Sequence, residues 1–252
     1  MAETSECRES PLEVRGTMSP LHGKTVLVIG AGSLGGPVAL ALASAGVGRI
    51  VLVDPGTVEP SDLAGHPLFV EEDLGEPRAR GAAAARRLAR LFPRVDVEVP
   101  AGGFHEGSAP GFVRAADLVV DASSHFPTMF LANDTAAAEG KTLAHGGLLN
   151  FTAQFHTFVP GVTGCLRCLF EGPPPPAPEA GVLGPVAGLA GSLLGAEAVR
   201  LLEGRPGAYA GRLLVHEVRS GRSRSVLVKR RPGCAACGAI SGDRAPLDGG
   251  LS

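Results

Sequence analysis

The sequence has no tryptophan and only 4% aromatic residues in total, so its core has to be assembled from Ala, Leu and Val. It also lacks an excess of charge of either sign. A formal net charge of -2 and a pI of about 6.4 exclude the basic field by which nucleic-acid binders hold phosphate. No apolar run reaches the roughly 18 residues that a membrane span requires. The opening MAETSECRESPLEVRGT has no apolar centre of the kind a secretory signal carries. Nucleic acid and membrane are thereby removed as partners, and a cytoplasmic location is the expectation. What is plentiful is glycine, 36 residues, and proline, 21, which indicates loop-rich connections. A 252-residue chain that is 44% hydrophobic has ample material for a buried core in one large or two small domains.

The stretch VLVIGAGSLGG at 26–36 begins as four apolar residues, Val26 to Ile29, suited to a strand buried on both faces of a parallel sheet. Gly30, Gly32 and Gly35 then follow at G-x-G-x-x-G spacing, ahead of an alanine-rich helical stretch that stops at Gly46. Each glycine has a physical reason to be there. Gly30 makes the turn, Gly32 lets backbone N–H groups approach a phosphate, and Gly35 lets helix and strand pack closely. The helix N-terminus faces the anion. The next apolar strand, RIVLVDPG, ends in Asp54, 19 residues after Gly35, where a carboxylate accepts hydrogen bonds from ribose hydroxyls. Both a dinucleotide and ATP fit this pattern.

Residues 1–22 read as a flexible lead-in and 239–252 as a disordered tail, around a single domain at 23–238. Strands at 26–29, 49–53, 95–99, 117–121 and 142–145 alternate with helices at 34–45, 78–91 and 127–139. This is the pattern of a Rossmann-like, doubly wound, mostly parallel α/β sheet. Antiparallel strands extend it: NFTAQFHTFVPG at 150–161 alternates as a half-exposed strand, and GRLLVHEVRSGRSRSVLVKR reads as a hairpin about Ser220-Gly221. Between them lie the helix GPVAGLAGSLLGAEAVRLLEG and a proline tract, EGPPPPAPEAG, which is a surface crossing because proline belongs in neither helix interiors nor central strands. Arg80, Arg86, Arg87 and Arg90 form the polar face of the 78–91 helix and read as solvated.

Four of the five cysteines fall in two C-x-x-C knuckles, Cys165/Cys168 and Cys234/Cys237. Two such knuckles can present four thiolates tetrahedrally to one Zn²⁺. A redox C-x-x-C occurs once, at a helix N-terminus, and disulfides do not suit a reducing compartment. Four thiolates leave no open coordination position, so the zinc is expected to be structural. Cys7 is incidental.

Read in order, GAGSLGG, VDPGTVEPSDL, DLGEPRA, DLVVDASSHFPTMFLAND, GGLLNFTAQFHTFVPG, GCLRCLF and AGVLGPVAGLAGSLLGAEAVRLL resemble the MoeB/ThiF family, the ubiquitin-activating-enzyme-like adenylyltransferases. The resemblance runs from about Gly23 to Gly238. It implies that Mg·ATP is bound and AMP transferred to the C-terminal carboxylate of a small ubiquitin-like protein, such as a sulfur carrier, or of a peptide. It also implies a homodimer. Several positions depart from the family pattern. S-N-L-x-R-Q is met here by Ser61-Asp62-Leu63-Ala64-Gly65-His66, and the G-x-P-K lysine by Arg78. The metal-binding Asp of C-T-D-N is met by Ser124 in Ala122-Ser123-Ser124-His125. The resemblance therefore implies a rearranged site. Gly30, Gly32, Gly35 and Asp54 hold the nucleotide, Arg78 offsets phosphate charge, Asp121 or Asp62 replaces the metal carboxylate, and His66 and His125 stand near the phosphates. No cysteine precedes AGVLGPV, so no thioester step is expected there. Two other functions compete: a degenerate family member that only binds a nucleotide or carboxyl tail, and an NAD(P)-dependent oxidoreductase. In the latter the knuckles and AGVLGPV have no part.

Overall fold

The computed structural model describes residues 19–75, 80–170, 172 and 182–240. Its centre is the apolar run around Val26, which becomes β1 (Thr25–Ile29). Val26 and Val28 enter one buried layer and Leu27 and Ile29 the opposite one, as a strand covered on both faces requires. The sheet has eight strands in the order β3-β2-β1-β4-β5-β6-β7-β8. The others are β2 (Arg49–Val53), β3 (Asp96–Glu98), β4 (Leu118–Asp121), β5 (Leu143–Leu149), β6 (Thr152–Phe158), β7 (Arg212–Glu217) and β8 (Arg222–Leu227). From β3 to β5 neighbours are parallel; from β5 to β8 they are antiparallel. The mostly parallel sheet with an antiparallel extension is as expected.

The helices are α1 (Gly35–Ser44), α2 (Pro60–Leu63), α3 (Arg80–Leu91), α4 (Ala109–Ala115), α5 (Phe126–Ala138), α6 (Leu166–Leu169) and α7 (Gly184–Leu202). Residues of α1, α3 and α7 pack in one layer and those of α4, α5 and the cysteine knuckles in the other. The sequence pattern does not announce α4. With 19 residues and mean hydropathy 1.3, α7 is long and apolar enough to cross a membrane by length and composition, yet here it packs on the sheet and half of it is buried.

Packed residues are found before the expected boundary at 23. Leu21 is buried, and Ser19 Oγ donates to the Ala45 carbonyl at 2.9 Å, closing the end of α1. The rest of the lead-in, the tail beyond 240, Arg78 and most of the proline tract lie outside the described residues.

Candidate functional site

The strand order reverses between β1 and β4, and the carboxyl ends of these strands open a crevice there, the place where α/β sheets of this kind take ligands. Gly30 has φ of +96°, and a Cβ on it would stand 2.6 Å from the Ala122 carbonyl oxygen at the end of β4. A Cβ on Gly35 would fall 1.8 Å from the Gly30 carbonyl oxygen, so the turn closes on itself as its spacing implies. Gly32 differs: a Cβ there would have only the Arg80 guanidinium near it, at 3.5 Å. The loop is thus packed at its ends and open at its middle. Asp54 lies beside it, its Oδ2 accepting the Ala31 N–H at 2.7 Å and its Oδ1 the Gly56 N–H at 2.8 Å. A cavity of about 310 Å³ opens here, bordered by Gly30, Asp54, Arg80, Phe104, Ser123 and His125.

Arg80 does not lie on a solvated face. It is the first residue of α3, and its Nε is 3.3 Å from Asp54 while its Nη1 donates to both oxygens of Asp62 at 3.1 and 3.2 Å. Both carboxylates are more than nine-tenths buried. A cation at a helix N-terminus is opposed by the macrodipole, and the two aspartates offset this. No local spacing in the sequence pairs Arg80 with Asp54 and Asp62; the fold brings them together. Arg86 and Arg87 pair with the buried Asp73.

His66 is not a phosphate-binding cation. Its Nε2 is 2.7 Å from the Ala31 carbonyl oxygen and its Nδ1 accepts the Leu68 N–H at 3.1 Å, while the ring stacks on Phe69. Burial lowers its pKa to about 4, so the ring is a neutral prop under the glycine loop. At Gly65, where the family carries arginine, a Cβ would stand 2.9 Å from the Cα of Gly184 at the start of α7. The backbone of α7 occupies the path that an arginine stem would take. Ser124 has φ of +53° and is exposed, with no carboxylate in its place. Nor does Asp121 reach the cavity as a free ligand. It is fully buried, its Oδ1 accepting the Ser123 N–H at 3.1 Å and its Oδ2 pairing with His145 Nδ1 at 2.8 Å. Asp54 is the only carboxylate bordering the cavity among the described residues, and Arg80 is on it. The described residues do not form a protein-held Mg²⁺ site.

The four cysteines converge. Cys165 caps α6 and Cys168 lies within it, Cys234 and Cys237 follow β8, and the four sulfurs all lie within 4.8 Å of one another. Cys165 and Cys234 are 3.6 Å apart and Cys168 and Cys237 3.4 Å, near the roughly 3.8 Å edge of a tetrahedron with metal–sulfur bonds of about 2.3 Å. Asn133 of α5 accepts the Leu166 N–H at 2.8 Å and the Arg231 N–H points at Cys168 Sγ, so backbone and side chains around the set hold it in place. The cluster can hold a metal ion.

The ThiF family model matches residues 12–236. The chain belongs to the ThiF family. It is 42% identical to the sulfur carrier protein adenylyltransferase of Thermus thermophilus, over 86% of this chain and 83% of that one. It is 38% identical to the SAMP-activating enzyme E1 of Haloferax volcanii, over 86% of this chain and 82% of that one. Among solved structures, E. coli MccB with ATP superposes with a TM-score of 0.77 at 23% identity, over 86% of this chain and 68% of that one. This last likeness is one of fold. The ThiF membership fits the open glycine loop, Asp54 and the sheet's reversal point as a nucleotide site; Arg80 and the buried Asp121–His145 pair are features of this chain that its motifs did not disclose.

Proposed function

We propose that this chain is an ATP-dependent adenylyltransferase that activates the C-terminal carboxylate of a small ubiquitin-like sulfur-carrier protein or peptide, without a conjugating cysteine of its own. The observation that carries the reading is the cradle of Gly30, Gly32 and Asp54 opening onto the Arg80 guanidinium at the reversal point of a ThiF sheet. The names of the Thermus and Haloferax relatives support the reaction class.

A carboxylate at neutral pH has already lost its proton, so its attack on the α-phosphate needs no general base. The difficulty is electrostatic: two anions must meet and pyrophosphate must leave. The backbone N–H groups of the open loop and the α1 N-terminus face the phosphates, Asp54 receives the ribose, and Arg80 supplies positive charge that Gly65 and Ser124 do not. Mg²⁺ enters with the nucleotide and is held by its phosphates. The four-cysteine cluster holds Zn²⁺ as a structural brace, the working unit is a homodimer, and the protein is cytoplasmic.

Gly65 and Ser124 favour one competing reading, a family member that binds nucleotide without turning it over. Incubation with Mg·ATP, labelled pyrophosphate and a carrier ending in Gly-Gly separates the two. Carrier-dependent exchange of label into ATP is the expected result; nucleotide retention with no exchange for any carrier would establish the binding protein instead.

A further inference from the structure

We infer that the hydroxyl of Ser123 donates to the α-phosphate of the bound nucleotide, a direct protein contact in the stretch where the family pattern sets a metal-binding Asp. This rests on the nucleotide site of the reading above and adds one residue to it.

An unpaired buried atom carries the inference. Among the described residues, the buried side-chain nitrogen and oxygen without a hydrogen-bond partner are Arg80 Nε and Ser123 Oγ, and both residues border the cavity of about 310 Å³. Arg80 Nε still has the Asp54 carboxylate at 3.3 Å. Ser123 Oγ has no such neighbour to offset its burial. Leaving a buried polar atom unmet is costly unless a ligand or water completes it. The polar groups around it are engaged: the Ser123 N–H donates to Asp121 Oδ1 at 3.1 Å, and Thr128 Oγ1 pairs with His125 Nδ1 at 2.9 Å. Nothing holds the Ser123 hydroxyl, and rotation about χ1 is its only adjustment on meeting a ligand.

The place of Ser123 selects the phosphate. Asp54 follows β2 and Ser123 lies beyond β4, on opposite sides of β1. A Cβ on Gly30 would stand 2.9 Å from Ser123 Cα, so Ser123 flanks the first glycine of the loop. With the ribose on Asp54, the first phosphate is the anion nearest this wall. The wall also suits an anion. It leads into the N-terminus of α5, whose first turn has no acidic residue and no side-chain cap, and a helix N-terminus favours negative charge. Ser124 adds no charge to repel it, and the one carboxylate bordering the cavity among the described residues, Asp54, is paired with Arg80. An adenine edge is neutral and gains nothing from the helix. During the reaction the hydroxyl keeps its proton and holds a non-bridging phosphate oxygen while the carboxylate attacks; no covalent step runs through it.

The test is isothermal titration of the whole protein with AMP and with adenosine, in magnesium-free buffer and again with millimolar Mg²⁺. Wild type is expected to bind AMP more tightly than adenosine, and equally in both media. Ser123→Ala should weaken AMP by about tenfold or more, as for a lost hydrogen bond to a charged group, while adenosine stays within about twofold and Ser123→Thr restores AMP to within about threefold of wild type. Unliganded Ser123→Ala should melt no lower than wild type, because the deleted hydroxyl has no protein partner. Equal loss of AMP and adenosine, AMP binding unchanged by Ser123→Ala, AMP binding that requires Mg²⁺, or a lower melting temperature of the unliganded variant would overturn the inference and leave the nucleotide site standing. Failure of wild type to bind either ligand at millimolar concentration would remove both.

Discussion

At the scale of single residues, the geometry of the glycine turn was legible and the Arg80 ion pairs were not. Gly30, Gly35 and Asp54 could be read because each obeys a local rule of turn geometry or spacing. Arg78, which the G-x-P-K spacing selects, lies outside the described residues, and Arg80, two residues on, joins Asp54 to Asp62. Spacing does not disclose the Arg80 contacts, because only the fold brings Asp54 and Asp62 to it. His66 escapes sequence reading for a related reason: its role is set by the Ala31 carbonyl and the Leu68 N–H, partners that only the fold brings to it. The consequence is testable. Arg80→Lys keeps the charge between two buried aspartates but loses the planar fork that reaches both. Carrier-dependent exchange should fall by about 10² or more in kcat/KM for ATP, toward the 10³ to 10⁵ attached to a lost phosphoryl-transfer arginine. Unchanged exchange would assign phosphate charge to another residue.

At the scale of elements, the strands and long helices were legible because their apolar periods are strong, and the missed ones are short. α4, APGFVRA, has too few residues to display a helical period and carries a proline in its first turn; it is helical because Val113 and Ala109 are buried against the sheet. The departure at Gly65 was visible, but its reason was not, since the α7 backbone that fills the space comes from residues more than a hundred positions away. The cysteine knuckles were readable from spacing alone, and the fold brings all four sulfurs together. Burial pushes the Cys165 thiol up to about 11, so a bound cation is what would hold it as thiolate, and binding releases protons. Purified protein is expected to contain one zinc per chain by elemental analysis. The set joins α6 to the segment after β8, and binding free energies of structural zinc are about 10 kcal/mol or more. Cys234→Ser with Cys237→Ser should therefore abolish the zinc and lower the melting temperature by roughly 10 °C or more, at about 2–4 °C per kcal/mol for a domain of this size. A metal-free wild type of equal stability would contradict the brace.

At the scale of the whole molecule, a parallel half carries the glycine loop and an antiparallel half leads into the cysteine cluster, and two buried histidines, one under each, tie their shared stability to pH. His66 supports the glycine loop, and His156 sits between the Arg212 and Gly164 carbonyls beside Cys165. Burial lowers both to about 4 against an ordinary value of 6.5, outweighing the carbonyl partners that raise them. Between pH 6.5 and about 4 the unfolded chain holds a proton on each ring that the folded chain does not. Unfolding then takes up protons, and stability falls with falling pH by up to about 1.4 kcal/mol per pH unit for each histidine. Above pH 6.5 this contribution is fully present, and below about 4 it has been lost. Urea unfolding at intervals from about pH 7.5 to 5 should show a proton uptake approaching two per chain at the acid end, beyond that of the metal cluster. His66→Gln, which replaces the ring by the amide that the family pattern places there, should reduce that uptake by nearly one without altering the zinc content. A slope unchanged by the substitution would mean that His66 is already protonated in the folded protein and that its ring is not the neutral prop under the glycine loop.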